Sequence, residues 1–189
     1  HLAVQNDVQC EPELLWKSCK VKVPFCGDMF KPTCNCVVLD VKKHNWTVLP
    51  KEMNEMTALK VMKVNHGPLE KLPETFKTNF SKVVVLDLSY NALSNILKSI
   101  GDMKIKTLKL ANNKLVEIHD SIWGNVYTVH LEFDNNNISS ISASVQKAVA
   151  LNRLYITNNS LINLPDNIFD HLRLSSLYLD GNKLTSIPQ

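Results

Sequence analysis

Beyond residue 36 the chain has no cysteine; Cys10, Cys19, Cys26, Cys34 and Cys36 account for all five. None of their spacings is C-x-x-C, the pair that zinc ribbons show. The cluster therefore reads as disulfides, and with them an extracellular compartment. The odd count leaves one thiol free or paired outside the chain, and the spacing does not choose among the pairings. No apolar run approaches the ~18–20 residues of a membrane helix, so no membrane contact is read from this segment itself. No signal peptide is visible; a mature chain would already have lost one. Charge of one sign is also missing. Lys and Arg number 21 against 18 Asp and Glu, a net charge of +3, which makes no case for nucleic acid. There is no H-E-x-x-H, G-x-S-x-G, phosphate loop or paired metal-ligand spacing. Oxidised cysteines offer no nucleophile. The histidines, among them His44, His66, His119 and His130, are scattered. The expectation is a non-enzymatic chain without metal or cofactor.

What is present is one sentence, repeated. "LDLSYNAL", "LKLANNKL", "LEFDNNNI", "LYITNNSL" and "LYLDGNKL" share their leucines and their Asn. We number the unit so that this Asn is position 9. Position 9 is then His44, Gly67, Asn91, Asn113, Asn136, Asn159 and Asn182, in steps of 22 to 24 residues. Position 4 reads Leu39, Met62, Leu86, Leu108, Leu131, Leu154 and Leu177. Position 6 reads Val41, Val64, Leu88, Leu110, Phe133, Ile156 and Leu179. Positions 11, 14 and 18 are apolar throughout as well. Alternation at positions 4 and 6 is the mark of a half-buried strand. A period of this length is the mark of a solenoid.

The pattern L-x-x-L-x-L-x-x-N-x-L resembles the leucine-rich repeat family over 36–189. The resemblance implies seven repeats of ~23 residues in an α/β-type solenoid. One parallel strand per repeat would build a curved sheet on the concave face, with an irregular or 3-10 convex side. Pro50, Pro73, Pro165 and Pro188 share position 15 and are read as ending each ordered turn. Asn91, Asn113, Asn136, Asn159 and Asn182 are read as a structural ladder, since an amide can bond the backbone of its own repeat and of its neighbour. His44 and Gly67 break it. Residues 1–35 read as a cysteine-rich, disulfide-stapled N-terminal cap. No closing unit follows, and the chain is read as a piece of a longer protein. "CNCVVLDVKKHNWTVLP" and "NHGPLEKLP" further resemble the ectodomains of secreted or membrane-anchored repeat proteins of oomycetes. That resemblance implies a secreted or cell-surface protein, sometimes with a membrane span further along.

The strand residues that alternate with the core face outward. Position 5 reads Asp40, Lys63, Asp87, Lys109, Glu132, Tyr155 and Tyr178. The charges alternate in sign and read as a self-neutralising row. Tyr155 and Tyr178 should be neighbours, flanked by His130, Glu132, Asp134, Arg153 and Asp180. This is the composition of a protein-contact hot spot or a sugar platform; the plainer reading is two tyrosines that cover the sheet by packing on each other. Tyr90, at position 8, stands further off. Asn45, Asn79, Asn137 and Asn158 head glycosylation sequons, and Asn158 lies near the tyrosines. The leading expectation is an extracellular recognition module, a receptor-type ectodomain or secreted binder with a protein or glycan ligand on the concave face. The alternatives are a structural solenoid that dimerises or spaces other domains, and, by family analogy only, a secreted inhibitor of a hydrolase.

Overall fold

The computed structural model describes residues 9–10, 37–166, 168 and 172–188. Cys19, Cys26, Cys34 and Cys36, and the proposed cap apart from residues 9–10, lie outside the described residues. Among the described residues eight strands form one open sheet, paired in chain order and all parallel. The seven repeats supply β2 (Val38–Lys42), β3 (Val61–Asn65), β4 (Val85–Asp87), β5 (Thr107–Lys109), β6 (His130–Glu132), β7 (Arg153–Tyr155) and β8 (Ser176–Tyr178). An eighth strand, β1 (Gln9–Cys10), precedes them and pairs with β2. Equal repeat positions face each other: Leu86 pairs with Leu108, and Leu131 with Leu154. The hydrogen-bonded span starts at position 3, one residue earlier than positions 4 to 6. Position 6 nonetheless stays inside, with Leu88, Leu110, Phe133 and Ile156 fully buried.

The chain leaves each strand by the same turn. Every residue at position 8 has a positive φ: Lys43, His66, Tyr90, Asn112, Asn135, Asn158 and Gly181. Asn and Gly tolerate this left-handed conformation, whereas Lys, His and Tyr adopt it at a cost of about 1 kcal/mol each. The turn swings position 9 back into the stack, where its side chain is saturated. Asn113 Nδ2 donates to the carbonyl of Leu110 in its own repeat and to that of Leu88 in the preceding one, both at 3.0 Å. Its Oδ1 accepts from Leu93 N at 3.0 Å. Asn91, Asn136 and Asn182 make the same three bonds. Asn159 reaches Phe133 O and Ile138 N in the same way. These groups lie too far along the chain for the strand ladder, and leaving them unpaired in the interior would cost about 1–3 kcal/mol apiece.

Gly67 has no side chain for this purpose, and His44 takes over. The His44 ring is buried, and its Nδ1 accepts from Trp46 N at 3.2 Å, the amide that an Asn at 67 would have served. The ring occupies the space beside Gly67, where any Cβ would collide with it. At this same junction the strands run two residues further, through Val41–Val64 and Lys42–Asn65.

On the outer side the return segments form short turns. Repeats one, three and five carry 3-10 helices at Lys51–Glu55, Lys98–Asp102 and Ala143–Lys147. Repeats two and four carry one-turn α-helices, α1 (Phe76–Asn79) and α2 (Asp120–Trp123). Pro50 and Pro73 open these turns rather than end them. Met53 N donates to Pro50 O and Phe76 N to Pro73 O. The missing proline N–H costs nothing at a helix start, and its fixed φ suits that place. The core between sheet and outer wall is continuous from Leu39 to Ile168, but Leu177, Leu179 and Leu184 in the last repeat are only partly buried.

Candidate ligand-binding face

The outward face of the sheet carries three groups of side chains. The first is the charged row at position 5. Lys63 Nζ lies 3.3 Å from Asp40 Oδ2, and Lys109 Nζ lies 2.8 Å from Glu132 Oε1. Lys63 therefore pairs backward and Lys109 forward. Asp87, between them, takes neither; its oxygens accept from Ser89 N at 3.0 Å and, weakly, from Asn65 Nδ2 at 3.4 Å.

The second is an aromatic row. Tyr155 and Tyr178 stack at 4.7 Å with their planes 9° apart. His130 continues the stack on the other face of Tyr155 at 5.2 Å and 24°. The parallel register places Tyr155 beside Tyr178, whereas His130 is paired with Arg153 and reaches Tyr155 diagonally. His130 Nε2 also contacts Glu132 Oε1 at 2.8 Å. Both faces of Tyr155 are thus occupied by neighbours, so this middle ring offers its edge and hydroxyl rather than an open plane. Arg153 and Asp180 flank the row, exposed. Asp134 is tied down instead, since its Oδ1 accepts from both Thr157 N (2.7 Å) and Thr157 Oγ1 (2.6 Å).

The third group surrounds a shallow depression of about 440 Å³ over the middle repeats. Tyr90 stands on its rim, half exposed, stacked on His66 at 4.3 Å and 12°. Ser89 and Ala111 line it, and Lys109, Glu132, Asp134 and Asn135 continue its lining. Reading columns one at a time misses this feature. The signal was a step across two columns: position 7 is small at Ser89 and Ala111, while position 8 falls from Tyr90 to Asn112. Tyr155 and Tyr178 do not line the depression. Among the described residues no group of three or more His, Cys, Asp or Glu is arranged to hold a metal ion, and no helix is long and apolar enough to cross a membrane.

The sequon asparagines differ in their surroundings. Asn45 and Asn137 are exposed and make no side-chain hydrogen bond among the described residues. Asn158 is exposed and donates to Asn135 Oδ1 at 3.0 Å. Asn79 commits its amide to both Asn54 Oδ1 (2.8 Å) and Thr75 Oγ1 (3.0 Å).

No family model matches the sequence, and no curated protein matches it. Solved structures do. A leucine-rich repeat protein of Leptospira interrogans is similar at 24% identity over 79% of this chain, with a TM-score of 0.62. TLR13, solved in complex with ssRNA13, is similar at 21% identity over 80% of this chain, with a TM-score of 0.71. The chain spans 44% and 22% of the lengths of those two proteins. The repeat period, the parallel sheet in chain order and these two neighbours agree: the chain folds as a leucine-rich repeat solenoid.

Proposed function

We propose that this solenoid is an extracellular recognition module, part of a receptor-type ectodomain or a secreted binder. It acts by binding alone, and engages a protein or glycan ligand on the outward face of its sheet. The observation that carries this reading is the composition of that face. A row of three stacked rings presents its edges to solvent beside Arg153, whose side chain is exposed and has no partner among the described residues. Aromatic rings give large contact area for little lost rotamer freedom, and aromatic and Arg side chains dominate interfaces where they occur. The TLR13 structure holds an RNA. Here Asp134 and Asp180, beside a Glu132 already paired with Lys109, favour a polar or mildly basic ligand over a phosphate backbone.

The test is a Tyr155→Ala, Tyr178→Ala variant screened beside the intact protein on glycan and extracellular-protein arrays. Neither ring belongs to the core, so the variant should keep its circular dichroism spectrum. Binding should fall at least about tenfold, or ~1.4 kcal/mol. Unchanged affinity in the folded variant would remove the aromatic row from the ligand site.

Assembly through one flank of the solenoid is a second reading, and one observation favours it. Val126, Tyr127, Val129 and Val149 are all exposed by 41% or more where successive repeats enter their strands. Sedimentation of the intact chain against a Val126→Lys, Val149→Glu variant separates the two. A dimer lost in the variant supports assembly, and a monomer in both removes it.

A further inference from the structure

We propose that the depression beside Tyr90 is a binding site for a neutral pyranoside with equatorial hydroxyls, a β-linked gluco-oligosaccharide in chemical class. The proposal rests on the reading of the outward face as a ligand-binding surface, and adds to it a place and a ligand chemistry. Three independent features carry it.

The first is the orientation of one ring. His66 covers a single face of Tyr90. The next residue along that row is Asn112, which is too small to cover the other face. Tyr90 therefore stands as a half-exposed wall of the depression. Tyr155 is sandwiched between two rings and offers no such face. A pyranose whose hydroxyls are all equatorial has C–H groups on both faces, and such a face packs flat on an aromatic ring.

The second is the state of the polar groups around it. Asp134 is locked by two bonds to Oδ1, and Glu132 by Lys109 and His130 at Oε1. Each keeps its second oxygen without a partner among the described residues, held in place by the bonds to the first. Asn112 makes no side-chain bond among the described residues, and Asn135 uses only its oxygen. The depression thus combines fixed acceptors with uncommitted amide donors. A ring of hydroxyls, each both donor and acceptor, satisfies such a set. Glu132 is already neutralised by its cation, so a hydroxyl suits it better than a second cation does.

The third is backbone strain. Tyr90 and His66 hold a left-handed conformation that Asn or Gly take cheaply at the same position in four other repeats. Strain of this kind persists where a side chain is needed for something other than folding. Lys43, the remaining costly residue in the column, does not line the depression.

The experiment titrates the intact chain with cellotetraose by calorimetry and by amide chemical shifts, beside the variants Tyr90→Asn and Tyr155→Ala, Tyr178→Ala. Tyr90→Asn removes the wall and relieves the strain, so it should melt no lower than the intact chain while affinity falls at least about tenfold. The shifts should centre on Ser89, Ala111 and Asn112. Affinity for a neutral ligand should stay constant between ~50 and ~500 mM salt. Equal binding by Tyr90→Asn overturns the proposal. So does the absence of any saturable signal with the intact chain, or a steep loss with salt, which packing and hydrogen bonding of an uncharged sugar do not produce. Binding lost only in the double tyrosine variant would overturn the depression as the site and keep the outward-face reading intact.

Discussion

Asn136 shows how much one side chain does in this molecule. It is buried, and it serves Leu110 O, Phe133 O and Leu115 N at once. Asn136→Ala leaves Leu115 N unpaired and strips one bond each from Leu110 O and Phe133 O, which keep Asn113 and Asn159 as donors, and should cost about 1–3 kcal/mol by urea denaturation. A loss under a few tenths would mean that water replaces it. His44 fills the corresponding role without an amide, and this makes the first junction acid-sensitive. Burial holds the His44 imidazole below its ordinary pKa of 6.5. The unfolded chain takes up that proton first, so the contribution of His44 is complete above pH ~6.5 and declines as pH falls toward the folded value. The urea midpoint should drop between pH 7.5 and 5.5 by less in His44→Asn than in the parent. Gly67→Asn alone should destabilise, because its Cβ meets the ring. Paired with His44→Asn it should recover, as a normal rung is restored. The ladder positions stand out in the sequence because they repeat one residue type. The left-handed column was present too, in Asn112, Asn135, Asn158 and Gly181, but Lys43, His66 and Tyr90 disguise it. Its meaning is a backbone angle, which no side-chain pattern spells out.

At the scale of elements, the repeat strands are the most legible feature, since Leu86, Leu108, Leu131 and Leu154 recur in register and face one core. β1 is not legible, because two residues cannot display an alternation. The outer wall is harder again. Its turns alternate between 3-10 and α geometry although the apolar positions beneath them barely change. Packing between neighbouring turns decides the detail. Gly101, in the turn Lys98–Asp102, lies so close to the backbone of Ser121 in α2 that a Cβ has no room. Ser121 Oγ also donates to Lys98 O at 2.8 Å across this contact. Gly101→Ala must push the turns apart and should lower stability by about 1–3 kcal/mol. Gly124, at the end of α2, meets only ordinary contacts, so Gly124→Ala serves as the control and should change thermal stability little. Equal melting of the two variants would show that the outer wall yields freely.

Over the whole molecule, each repeat touches its neighbours and little else, so the outward face of the sheet and the wall that supports it are separable. The aromatic row falls in repeats five to seven, and the depression in repeats two to six. Both arise from side chains added to one unchanging frame. The frame can be read in columns, but a depression depends on differences between adjacent columns, and so emerges only in three dimensions. The ladder bonds have a consequence for the length of the chain. Asn113 and Asn136 accept from and donate to equivalent atoms, one repeat apart. Excising 114–136 would splice Asn113 directly to Asn137, and the surviving rungs would meet partners of the same kind. The two fully buried rings of that stretch, Trp123 and Phe133, lie against each other and would leave together, so no void remains where one had filled the other's space. The shortened chain should refold cooperatively, with the dichroism of a six-repeat stack. Such a protein can lengthen or shorten by whole units under recombination, the outward face of its sheet changing at each step while its architecture is inherited intact.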